Sequence, residues 1–149
     1  MDDHPLVREW LTHLIQQQPD LIVCGETENA PAALSAVETV KPDLVIADIN
    51  LVNSSGLELV KALQQSCPQV PVLVLSMHDE SLYAERAFRA GARGYVNKRE
   101  TAQKTVEAIR RVLAGKLYVS EKAAEILAAK TVRSQTVNRS TIESLSDRE

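Results

Sequence analysis

Three apolar runs in this chain each close on a polar side chain that can do chemistry. LVIAD (44–48) ends on Asp48, VPVLVLS (70–76) on Ser76 and GYVNK (94–98) on Lys98. Two more carboxylates, Asp2 and Asp3, stand just ahead of the first helical stretch, where the carboxyl end of a preceding strand would lie. Ligand sites in open parallel sheets lie beyond the carboxyl ends of the strands, so these side chains are expected at one mouth. Carboxylates crowded together there repel and raise one another's pKa unless a cation sits among them. Mg²⁺ meets that need, because it takes oxygen ligands, keeps part of its water shell and combines one or two carboxylates with phosphate oxygens. With the charge cancelled, Asp48 is expected to act as a nucleophile toward a phosphoryl group. Ser76 would hydrogen-bond a phosphoryl oxygen, and Lys98 would pair with the added charge of roughly −1.5 to −2. Taken singly, each residue has a plainer role as a turn cap or a solvated charge. Their joint occurrence at successive strand ends favours the chemical reading.

The elements that must position them follow from hydrophobic period. Leu6, Val7, Trp10, Leu11, Leu14 and Ile15 recur at helical spacing, which predicts a helix over 5–18 with Pro5 in its first turn. LIVC (21–24) reads as a strand stopped by Gly25. Helical period returns over 30–40, 56–66, 80–91 and 101–114, alternating with the extended runs 44–48, 70–76 and 94–97. Apolar runs with no polar alternate face imply strands covered on both sides. The predicted class is therefore α/β, with a doubly wound parallel sheet. Beyond Gly115, VSEKAAEILAAK (119–130) has the composition of a further helix, and the polar, aperiodic TVRSQTVNRST (131–141) reads as a linker.

Composition narrows the function. A chain of 149 residues with 44% hydrophobic and 25% charged residues suits one core plus a tail. A net charge of −3 argues against this segment itself gripping nucleic acid, which requires clustered Lys and Arg. Cys24 and Cys67 lie in or beside apolar runs without metal-ligand spacing and read as buried free thiols. No apolar stretch reaches the roughly 20 residues that cross a bilayer, and no signal-peptide pattern opens the chain, so a cytoplasmic protein is expected.

With these residues in place, the chain resembles the receiver domain of bacterial two-component response regulators, in the NarL/FixJ subgroup with a LuxR-type DNA-binding output. The resemblance spans residues 2–130 and rests on DDHPLVRE, on PDLVIADINL with Gly56 eight positions after Asp48, and on VPVLVLSMHDE, AGARGYVNK and GKLYVSEKAAEIL. It implies a flavodoxin-like fold and, residue by residue, a phosphoacceptor at Asp48. It further implies a direct Mg²⁺ ligand at Asp3, a largely water-mediated one at Asp2, and a backbone carbonyl ligand at Asn50. Ser76 would be the hydroxyl switch, Lys98 the phosphate-pairing lysine and Tyr95 the aromatic that changes rotamer with it. The implied partners are a sensor histidine kinase, a second copy in a homodimer, and DNA reached through a C-terminal domain. The resulting division is a receiver domain over 1–116, an appended helix over 117–131, a linker over 132–141, and over 142–149 the start of a truncated LuxR-type helix-turn-helix domain. No membrane and no enzymatic turnover are implied.

The chain also departs from that pattern. Leu51-Val52 replaces the usual Met-Pro, the loop VNSSG is unusually polar, and Arg99 follows Lys98 where proline is usual. More consequentially, Asp2 and Asp3 would end a hydrophobic first strand at the middle of a sheet of order 2-1-3-4-5, and that strand is missing from the numbered chain. Losing about five buried apolar positions at ~1.5–3 kcal/mol each forfeits on the order of 10 kcal/mol, comparable with a whole domain's stability. The expectation is that the natural gene product carries the strand, lost from this sequence through the choice either of a start site or of the segment expressed. If the short form folds, strand exchange or dimer contacts must fill the gap. Two alternatives compete: a phosphorylation-independent pseudo-receiver serving as a dimerisation module, and a haloacid-dehalogenase-type phosphatase. The second needs an acid two residues after Asp48, where Asn50 stands.

Overall fold

The computed structural model describes residues 5–51, 54–77 and 80–119, together with positions 124, 125, 128 and 129. In chain order the elements are α1 (Pro5–Gln16), α2 (Ala30–Val40), β1 (Val45–Asp48), β2 (Asn50–Leu51), β3 (Ser54–Ser55), α3 (Gly56–Ser66), β4 (Val72–Ser76), α4 (Glu80–Ala90), β5 (Gly94–Asn97) and α5 (Ala102–Leu113). Their ends carry local reasons. Asn29 caps α2, its side-chain oxygen accepting from the Ala32 N–H, and Thr101 does the same for α5 through the Lys104 N–H. Arg110 and Arg111 lie in the last turn of α5, where positive charge offsets the partial negative charge of the helix end.

β1, β4 and β5 form a parallel sheet in the order β1-β4-β5. All five residues of β4 are buried, as befits its central position. Alternate side chains of β4 serve opposite faces. Val72 and Val74 join Val37, Leu59, Leu63 and Ala87 beneath α2, α3 and α4, whereas Leu73 and Leu75 join Leu11, Ile109 and Val112 beneath α1 and α5. The α/β class and the doubly covered parallel sheet are thus as expected, with three parallel strands among the described residues. Beyond α5 the chain returns beside β5: the Tyr118 N–H donates to Arg93 O at 3.0 Å, and Tyr118 pairs with Gly94. Positions 124, 125, 128 and 129 are helical, while the expected linker (132–141) and the helix-turn-helix start (142–149) lie outside the described residues. No described helix is long and apolar enough to cross a membrane.

Three expectations need correction. LIVC (21–24) is not a strand; residues 21–27 have no regular structure. A strand exists only through a neighbour's ladder, and the described parallel sheet ends at β1, which lies across a cavity from that run instead of pairing with it. For the same reason Cys24 is exposed rather than buried; Cys67, which directly follows α3, is half-buried, and both are free thiols as expected. Finally, the polar segment after Asp48 is more ordered than a loop, because Asn50 and Leu51 pair antiparallel with Ser55 and Ser54.

Leu73, fully buried on the central strand, tests the core. Leu73→Ala is expected to lower unfolding free energy by about 2–5 kcal/mol in urea titration, a large share of a domain's roughly 5–15.

Candidate functional site

The parallel register brings the strand-end residues to one edge of the sheet. Asp48 stands opposite Leu75, one residue before Ser76, and Ser76 stands opposite Asn97, one residue before Lys98. The Lys98 N–H donates to Ser76 O at 2.7 Å, carrying the ladder one residue past β5. From there Lys98 Nζ reaches across the end of β4 and donates to Asp48 Oδ2 at 2.9 Å. Only 6% of the lysine side chain and 4% of the aspartate side chain remain exposed. Taking either charge so far out of water alone would cost several kcal/mol, so each makes the other's burial tolerable. Ser76 is completely buried beside them. Tyr95 is buried as well, in the core layer that includes Ala84, Ala87 and Ala90 of α4.

Two local devices hold the charged pair in place. At Gly56 the first turn of α3 runs hard against the backbone that leaves β1: the Gly56 N–H donates to Ile49 O at 2.6 Å. A Cβ at Gly56 would lie 2.0 Å from the Asp48 carbonyl oxygen and 2.6 Å from Ile49 Cα, so only glycine fits without moving that backbone. At the other end, Asn97 Oδ1 accepts from the Arg99 N–H at 2.9 Å, closing an Asx turn around Lys98.

The description "Response regulator receiver domain" belongs to the family profile that matches residues 1–110. The chain belongs to the response regulator receiver domain family. It is 35% identical to the response regulator GacA of Pseudomonas viridiflava over 149 residues, covering all of this chain and 69% of GacA. Against the nitrate/nitrite response regulator NarL of Escherichia coli K12 the identity is 31% over 143 residues, 96% of this chain and 64% of NarL. A crystal structure of a LuxR-family two-component response regulator from Aurantimonas sp. SI85-9A1 superposes with a TM-score of 0.81 at 35% identity, covering 88% of this chain and 94% of that one. The resemblance noted in the sequence is borne out at family level, and a receiver domain is not an enzyme of the conventional kind.

In this receiver domain the structure brings together Asp48, Ser76 and Lys98, with Tyr95 buried on the same strand that leads to Lys98. Asn50 opens β2, two residues beyond Asp48. Asp2 and Asp3 lie outside the described residues. Receiver domains typically bind Mg²⁺, and the Asp48 carboxylate and the main-chain carbonyl at Asn50 are hard oxygen donors of the class that ion takes. Among the described residues no group of three or more His, Cys, Asp or Glu side chains gathers around one point, so the described donors suit the ion without forming a full set. The departure at Arg99 also has a use, since its N–H makes the bond to Asn97 that a proline could not donate.

Gly56 and Asn97 were not singled out as site residues by sequence reasoning. For Gly56 the available signal was a glycine at the first position of a helix, where an ordinary residue would be expected. For Asn97 it was an Asx residue ahead of the turn that carries Lys98. Gly56→Ala is expected to push the Asp48–Ile49 backbone aside and to cost about 1–3 kcal/mol of stability. Displaced amide resonances at positions 48 and 49, together with a lower urea midpoint, would register both effects.

Proposed function

We propose that this receiver domain is a phosphorylation switch in which Asp48 accepts a phosphoryl group from a sensor histidine kinase and so controls dimerisation and DNA binding by a C-terminal output domain. The observation that carries this reading is the buried 2.9 Å contact between Lys98 Nζ and Asp48 Oδ2 beside a buried Ser76 hydroxyl. A carboxylate poised at a strand end with its own cation in reach is set up to change charge.

In the proposed step an Asp48 carboxylate oxygen forms a bond to phosphorus while the P–N bond of the donor phosphohistidine breaks and its electron pair returns to the imidazole. Asp2, Asp3 and Asp48 with the Asn50 carbonyl would hold Mg²⁺, which supplies neutralisation of the phosphoryl oxygens during transfer. Lys98 then exchanges its carboxylate partner for a phosphoryl oxygen, a more highly charged acceptor at nearly the same place. Ser76 donates its hydroxyl to another phosphoryl oxygen. Tyr95 follows the hydroxyl, and the surface formed by α4 and β5 changes with it. A difference of a few kcal/mol between the two arrangements suffices to shift their populations.

The output belongs to the same reading. Residues 1–116 would form the receiver, 117–131 an appended helix, 132–141 a linker, and 142–149 the opening of a LuxR-type helix-turn-helix domain. Support comes from relatives that match the whole chain and extend further, among them a protein of Pseudomonas putida named as a transcriptional activator, which is 35% identical over 149 residues making up 70% of its length. Dimerisation would then set the spacing of two DNA-reading helices on a two-fold site, acting in the cytoplasm as a regulator of transcription.

Asp48→Ala is expected to abolish labelling by acetyl phosphate or by a phosphorylated kinase while leaving the circular dichroism spectrum unchanged. Labelling that persists in the variant overturns the site. Beryllofluoride is expected to bind the unmodified chain only when Mg²⁺ is present, read by ¹⁹F resonance. Absence of both Mg²⁺ and beryllofluoride binding would instead mark a dimerisation module that works without phosphorylation.

A further inference from the structure

Lys98 carries its ammonium at the end of a flexible stem, so Nζ reaches Asp48 reliably only if the lysine backbone aims it there. That backbone is pinned on both sides. The Lys98 N–H donates to Ser76 O at 2.7 Å, and the Asn97 carbonyl accepts from the Glu100 N–H at 2.9 Å, closing a turn over 97–100. Inside the turn, Asn97 Oδ1 accepts from the Arg99 N–H, also at 2.9 Å. Directly after it Thr101 caps α5, which leaves the turn no slack to take up.

The bond from Asn97 Oδ1 is the one that depends on the choice of side chain. Asn is disfavoured in strands, yet Asn97 ends β5, Cα-paired with Ser76. The turn accounts for it: an Asn oxygen reaches the N–H two residues on, which a Val or Leu at the same place could not engage. Arg99 supplies that N–H, and without a proline ring to fix its φ it leaves the shaping of the turn to Asn97. Tolerance is small, because a 2.9 Å ammonium–carboxylate contact passes out of hydrogen-bond range once Nζ moves by about half an ångström. With only 6% of the lysine side chain exposed, little water is at hand to replace a lost partner.

We propose that Asn97 is the positioning residue for Lys98: its side chain fixes the turn that aims Nζ at the Asp48 carboxylate and, after phosphorylation, at a phosphoryl oxygen. This rests on the reading of Asp48 as phosphoacceptor and adds to it a determinant of how tightly the phosphoryl group is held. Asn97 acts through Lys98 and contributes no ligand to Mg²⁺. Removing its acceptor therefore weakens the grip on the anion and spares the grip on the metal, so the two affinities separate.

The test compares the full chain with Asn97→Leu, similar in volume but without the acceptor, and uses beryllofluoride in place of the phosphoryl group. In saturating Mg²⁺ the beryllofluoride Kd is expected to rise about three- to tenfold, the worth of one hydrogen bond, while Mg²⁺ affinity without beryllofluoride does not fall. In the same variant the Lys98 Nζ protons, followed by ¹⁵N-edited NMR without Mg²⁺, are expected to exchange with water at least about threefold faster. Asn97→Ser, whose hydroxyl forms a weaker version of the same turn, is expected to show both effects in smaller measure. Unchanged Nζ exchange in Asn97→Leu overturns the proposal, as does a fall in Mg²⁺ affinity that matches the loss of beryllofluoride binding, or an Asn97→Ser chain no better than Asn97→Leu. If the unmodified chain binds no beryllofluoride, the phosphoacceptor reading fails instead, and Nζ exchange alone decides whether Asn97 aims Lys98 at Asp48.

Discussion

The ion pair between Asp48 and Lys98 is the constraint around which the rest of the structure is arranged. Two opposite charges almost wholly withdrawn from water must meet in good geometry, or their burial costs more than it returns. That geometry is supplied by three parallel strands in register, which place an aspartate, a serine and a lysine at successive positions across one edge of the sheet. A shift of one residue in either pairing would send these side chains to different faces and break the contact. The hydrophobic layers on both sides of β4 therefore do more than stabilise the fold, because they hold the register on which the charged pair depends.

The backbone around the pair is tied down with little spare volume. Gly56 lets α3 start directly against the Asp48 carbonyl, and the short β2–β3 ladder occupies the segment between them. On the lysine side the Asn97 side chain bonds the main chain of Arg99, so the Lys98 turn is set before its side chain reaches Asp48. Such preorganisation suits a switch. In the proposed switch a change of charge at Asp48 would act on partners already aimed at it and pass through β5, where Tyr95 packs against the α4 layer.

The other margin of β1 is built differently. There the space between residues of α1, α2 and α5 holds a cavity, lined along one side by a run without regular structure. The apolar character of LIVC is a real propensity left without a ladder. Hydrophobic composition makes a strand possible, and only a hydrogen-bonded neighbour makes it one.

Much of this molecule was legible in its amino-acid sequence. Uninterrupted apolar runs at 44–48, 70–76 and 94–97, separated by helical periods, determined the parallel, doubly covered sheet, because local period and burial pattern are properties of the chain itself. The same reading located Asp48, Ser76 and Lys98, since residues that close parallel strands converge whenever the strands do. Tertiary structure alone decided what depends on a neighbour distant in sequence. It decided that 21–24 stays unpaired and leaves Cys24 in solvent, that Gly56 must lack a side chain because the Asp48 carbonyl occupies its space, and that Lys98 Nζ comes to lie 2.9 Å from Asp48 Oδ2. Propensity is written residue by residue, whereas ladders, close approaches and buried charge pairs exist only once two parts of the chain have met.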